Sequence, residues 1–99
     1  MNVPNNNQID NTSYYLLPSG RQLEDFIVFA KLDFAWGSAL KYIWRAGMKD
    51  GESASKDRMK ADHYLRLISR TCHEPMDNLE HELERLHTEA REWDGKEAA

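Results

Sequence analysis

The stretch DFAWGSALKYIWRAGMKDGESAS, residues 33–55, decides the fold. Asp33 is the kind of residue that accepts a hydrogen bond from the free amides of a first helical turn. Behind it, Trp36, Leu40, Ile43, Trp44 and Gly47 recur at helical spacing, which predicts a helix over 34–47 with one buried stripe. Lys41, Arg45 and Lys49 recur at i, i+4, i+8 and fall on another, outward face. Gly47 suits the helix end, where a left-handed conformation closes the last turn. Lys49-Asp50-Gly51 reads as the turn beyond it, and Ser53 or Ser55 would cap the helix that follows.

That following helix places Ala61, Tyr64, Leu65, Ile68 and Cys72 on one apolar stripe, so the two segments form an antiparallel helical hairpin. Upstream, Leu23, Phe26, Ile27 and Ala30 predict a short N-terminal helix, with Ser19 and Gln22 spaced as a capping box. Downstream, Pro75 suits the first turn of a helix whose Met76, Leu79, Leu83, Leu86, Ala90 and Trp93 form a heptad seam. The seam either packs on the hairpin or pairs two chains, and self-association is expected. No strand pattern is present, so the class is all-α. The chain divides into a flexible segment 1–12, a helical domain 13–73 and an acidic C-terminal helix and tail 74–99.

With 99 residues, 40% of them hydrophobic and 30% charged, the chain is one small, well-charged domain. No apolar run reaches the ~20 residues that cross a bilayer, so no membrane role is expected. The first eleven residues, MNVPNNNQIDN, lack the basic and apolar regions of a signal peptide. A single cysteine, Cys72, suits a reducing cytoplasm and, lying on the apolar stripe, is expected to be a buried thiol.

The net charge of −4 hides an asymmetry. Residues 41–70 hold eight of the 13 Lys and Arg against four acids, whereas from residue 74 onward nine acids face three bases. Such a chain is a poor general binder of nucleic acid, which needs a basic face to neutralise phosphates. A cationic middle suits a small phosphorylated ligand, and an acidic tail suits solubility or a basic partner.

The candidate phosphate site is therefore Lys41, Arg45 and Lys49 beside the turn after Gly47, with Lys56 and Lys60 entering from the next helix. From spacing alone the same charges also read as a solvated face making weak surface pairs. Tyr42 leaves the buried stripe and is the candidate for stacking on a base. Asp57 and Asp62 are carboxylates of the kind that hold Mg²⁺ through a nucleotide phosphate. They are five residues apart, however, and so lie about 140° apart around the helix. His63 has no partner visible in the sequence. No Gly-x-x-x-x-Gly-Lys-Ser/Thr loop exists, which excludes a P-loop kinase. Four scattered His and one Cys give no zinc-ligand spacing, and no redox cofactor is expected.

The run AWGSALKYIWRAGMKDGE followed by KDRMKADHYL resembles the SaV-like phage family, a domain of unknown function. The matching residues are Gly37, Lys41, Tyr42, Arg45, Ala46, Gly47, Lys49, Asp57, Lys60, Ala61 and Tyr64, and upstream Ser13, Tyr15, Asp25 and Ile27. The resemblance covers about residues 13–68. Ser38 stands where the family has Asn, Tyr14 where it has His, Gln22 where it has Glu, and Arg58 where it has Leu. The family includes the C-terminal part of a nucleotide kinase of T-odd coliphages, which phosphorylates deoxynucleoside monophosphates without a P-loop. The resemblance thus implies a phage-encoded nucleotide-binding protein in the cytoplasm of an infected bacterial cell. In that reading Lys41, Arg45, Gly47, Lys49 and Lys60 hold phosphate, Tyr42 meets base or ribose, and Asp57 or Asp62 supports Mg²⁺. Two alternatives stay open. One is an anti-defence sponge for a nucleotide-derived immune signal; the other is an inhibitor that binds a host protein through the acidic C-terminal helix.

Overall fold

A computed structural model describes residues 14–49 and 51–98. Among them are four helices and no strand: α1 Leu23–Phe29, α2 Phe34–Gly47, α3 Gly51–Cys72 and α4 Met76–Ala98. The expected flexible segment 1–12 and Asp50 of the expected turn lie outside the described residues. The protein is all-α, and α2 and α3 form the helical hairpin. The shared core is built from Leu23 and Phe26 of α1, Leu40 and Trp44 of α2, Leu65 and Ile68 of α3, and Leu79, Leu83, Leu86 and Ala90 of α4. Each such side chain contributes roughly 1.5–3 kcal/mol when fully buried.

Asp33 caps α2 as expected, its carboxylate accepting from the Trp36 amide at 2.9 Å. Other helix ends depart from the sequence reading. Gly47 is the last helical residue of α2, and the cap is Met48 in a right-handed conformation (φ −96°). α3 begins at Gly51 in the left-handed region (φ +67°), so neither Ser53 nor Ser55 is its cap. Left-handed residues close α1 and α3 instead, Lys31 (φ 57°) and His73 (φ 55°). There the amides of Leu32 and Glu74 reach back to the carbonyls of Ile27 and Ser69, closing each helix with a 6→1 bond. Because α3 stops at Cys72, that thiol has left the packed stripe and is exposed, not buried.

The heptad seam packs within the chain: Leu79, Leu83, Leu86 and Ala90 are all buried against α1–α3. The basis for expecting two chains to pair through it is thereby removed. Trp93 packs its ring on Phe26 and Phe29 of α1, with the Arg21 guanidinium 4.2 Å from its centroid.

Residues 14–22 form a strap across the ends of α2 and α4. Leu17 is buried, Gly20 turns the chain at φ +96°, and the Trp44 indole N–H donates to the Leu16 carbonyl at 3.1 Å. The capping box does not form, because α1 starts at Leu23 and places Gln22, not Ser19, at the N-cap. The Ser19 hydroxyl and backbone N–H both donate to Asp94, at 2.6 and 2.9 Å. The α1 N-cap, Gln22, makes no side-chain cap bond.

Candidate functional site

Lys41 and Arg45 lie on one face of α2, whereas Lys49 falls beyond the Met48 cap and is largely covered rather than outward. The hairpin brings Asp57 of α3 beneath Arg45 and Lys49. Asp57 is 2% exposed. Its Oδ2 lies 2.9 Å from Lys49 Nζ and 3.3 Å from Arg45 Nε, and neither contact is an aligned hydrogen bond. A carboxylate out of water needs such compensation, since burying an unpaired ion costs several kcal/mol.

The strap supplies the outer cover. Arg45 donates to the Tyr15 hydroxyl at 3.1 Å. This bond, opposed by partial burial and assisted by Asp57, holds the guanidinium above its ordinary range and so permanently charged. Lys49 Nζ sits 4.9 Å from the Tyr14 ring centroid, and Lys41 Nζ sits 5.1 Å from that of Tyr15. Cations placed over aromatic faces are attracted by the ring quadrupole. Lys41 also lies 3.8 Å from Glu24 of α1, an exposed pair of small energetic weight.

Between α2 and α3 these side chains border a cleft of about 260 Å³, lined by Tyr15, Phe34, Ser38, Lys41, Tyr42 and Tyr64. Tyr42 and Tyr64 stack nearly parallel, 9° apart with centroids at 6.0 Å, and Phe34 meets Tyr64 edge-on at 5.7 Å. Lys60 Nζ stands 5.3 Å from the Tyr42 ring. The cleft thus combines flat aromatic walls, the Ser38 and tyrosine hydroxyls and the Lys41 ammonium group, with Lys60 beside it at the Tyr42 ring. This is the chemistry that holds a planar ring joined to an anion.

Of the residues expected at the site, Lys41, Tyr42 and Lys60 come together at the cleft. Arg45 and Lys49 lie beside it, committed to Asp57 and covered by Tyr14 and Tyr15. Gly47 does not join them; it borders a separate cavity with Pro18, Trp44 and Arg91. Asp57 and Asp62 do not form a pair. Asp62 turns to Arg66 at 2.6 Å and lines another groove, while Asp57 is held by its two cations. These two carboxylates do not fit a Mg²⁺ site. Among the described residues no cluster of three or more potential ligands occurs.

That other groove is the larger, at about 460 Å³, lined by Ile43, Leu65 and Leu83 and by Asp62, Glu80 and Glu84 with Arg58 and two histidines among them. Three acids against one guanidinium disfavour an anion, so size does not make it the phosphate site. Sequence reading missed Phe34 and assigned Tyr64 to the core, where it is only partly buried. Sequence reading also gave Tyr14 and Tyr15 no contact with these cations, although two adjacent tyrosines ahead of a Pro-Ser-Gly turn were the available signal.

No protein-family model, curated protein or solved structure matches this chain. Among the described residues no helix is long and apolar enough to cross a membrane.

Proposed function

We propose that this protein binds a nucleotide in the cleft between α2 and α3, the base lying against Tyr42 and Tyr64 and the phosphate on Lys41 and Lys60. The observation that carries this reading is the cleft lining, in which aromatic faces, the Ser38 hydroxyl and the Lys41 ammonium group meet in one small volume. Charge counting narrows the ligand. Arg45 and Lys49 share Asp57, and Lys41 shares Glu24, so little positive charge is left for phosphate. A monoester or diester matches that balance better than a triphosphate. The resemblance of residues 13–68 to the SaV-like phage family supports the same ligand class. Simple binding, as in a sponge, uses every feature named, whereas phosphoryl transfer would need a catalytic group that these residues do not supply.

The test is thermal unfolding with the four ribonucleoside monophosphates, the adenosine di- and triphosphates and cyclic nucleotides, repeated on Lys41→Met. A ligand at a hundred times its Kd stabilises by about 2.7 kcal/mol, a rise on the order of 10 °C for a domain of this size. Monophosphates are expected to stabilise the wild type and to lose that effect in Lys41→Met. If no nucleotide shifts the wild type, the reading fails.

A further inference from the structure

The cleft does not end at Lys41. Phe34, Ser38 and Lys41 also line a second depression of about 290 Å³, completed by Glu24, Asp33, Ile27, Val28 and Leu32. Phe34 is 75% exposed and lines both lobes, together with Ser38 and Lys41. Such an exposed aromatic ring contributes little to folding, but it offers a stacking surface to each lobe. The lobes differ in chemistry. The first has tyrosines and the Ser38 hydroxyl. The second has an apolar floor of Ile27, Val28 and Leu32 and two carboxylates, Glu24 and Asp33. Among the residues lining both, Lys41 is the one cation, and it sits on the shared boundary.

We infer that the site takes a dinucleotide, with one nucleoside in each lobe and the linking phosphodiester on Lys41; this rests on the nucleotide reading of the first lobe. The charges support it. A phosphodiester carries one negative charge, the least a phosphate ester brings, which suits a lysine that already shares its charge with Glu24. The carboxylates of the second lobe disfavour a further phosphate but accept hydrogen bonds from an exocyclic amine, as on adenine, guanine or cytosine. The second lobe is accordingly selective for an amine-bearing base. Gly37 shapes this lobe too: a side-chain carbon there would come within 3.1 Å of Ile27, so its absence lets α1 lie close against α2.

The test is calorimetric titration of the full chain with AMP, UMP, adenylyl-(3′→5′)-adenosine and uridylyl-(3′→5′)-uridine. The adenine dinucleotide is expected to bind at least about tenfold tighter than AMP, the scale of one added base stack. Uracil has no exocyclic amine, so the uracil dinucleotide should gain less over UMP. Asp33→Ser keeps a good helix cap while removing the carboxylate and drawing the acceptor back out of the lobe. It should reduce the adenine advantage toward that of uracil and leave AMP unchanged. If AMP binds and the adenine dinucleotide binds no tighter, the two-lobe assignment is overturned while the nucleotide reading stands. If neither binds, both fall. An adenine advantage that persists undiminished in both Asp33→Ser and Glu24→Ala overturns the recognition of the amine.

Discussion

Two aspartates are buried to the same degree, Asp57 and Asp94, each 2% exposed, and they are stabilised in opposite ways. Asp57 lies between two cations, Arg45 and Lys49, close in distance but without an aligned hydrogen bond at Oδ2. Asp94 has no cation within ion-pair distance among the described residues. It receives two directed hydrogen bonds from Ser19 instead, one to each oxygen. The first arrangement depends on charge and tolerates loose geometry. The second depends on geometry and fixes a backbone position, that of the strap. The difference shows how a small domain divides its polar interior: charge neutralisation sets the hairpin under the candidate site, and a hydrogen-bonded clasp sets the cover over it.

Removing each carboxylate separates the two cases. Asp57→Ala leaves Arg45 and Lys49 partly buried without a counter-charge and is expected to cost about 3–5 kcal/mol, the range for breaking a buried pair. Urea unfolding would read this as a lower midpoint. If the loss stays under ~1 kcal/mol, the ion pairing is not what holds the hairpin there. Adding Lys49→Gln to Asp57→Ala should recover part of the loss, because one of the two stranded cations is then removed with its counter-charge. Asp94→Ala is expected to cost less, about 1–3 kcal/mol, the penalty for stranding hydrogen-bond partners. Its distinctive effect lies elsewhere. A freed strap no longer holds Tyr15 over Lys41, so nucleotide affinity should fall more than in a control of equal stability loss such as Leu79→Val. Equal affinity in the two variants would show that the clasp does not position the strap.

The fold was largely legible because helical periodicity survives in single residues: the stripes of α2, α3 and α4 and the Asp33 cap are all local patterns. What was not legible depends on partners far away in sequence. Ser19 and Gln22 have capping-box spacing, yet α1 starts only after Gln22, and Ser19 donates instead to Asp94, 75 residues on. Asp57 reads as one charge on a polar helix, and only the alignment of the hairpin puts it under Lys49. Cys72 continues the α3 stripe on paper, but the left-handed turn at His73 ends the helix there. Of the site, the cations Lys41 and Lys60 and the ring of Tyr42 were recoverable from spacing and composition. The contributions of Phe34 and Tyr64 were not, since two helices must pack before those rings meet.

The smallest expected effect tests a half-buried group that neither aspartate touches. His87 of α4 stacks on Trp44 at 4.5 Å, and burial, with the Arg91 charge adding to it, lowers its pKa below the ordinary histidine value. A histidine whose folded pKa is depressed must lose a proton to fold once the unfolded chain binds one. Its contribution is therefore complete above about pH 6.5 and is lost as pH falls from there toward the folded value. Glu82 on the same helix is lowered from the ordinary carboxylate value, chiefly by its hydrogen bond to Arg85, so its contribution fades only below about pH 4.5. As pH falls, the His87 window therefore opens before that of Glu82. Thermal midpoints measured between pH 7.5 and 5 should thus decline modestly in the wild type and stay flatter in His87→Gln. Because His87 is only half-buried, solvent screening keeps the decline below the Asp94→Ala loss. Equal slopes in the two proteins would assign the pH dependence to other groups and leave the Trp44 stack as packing alone.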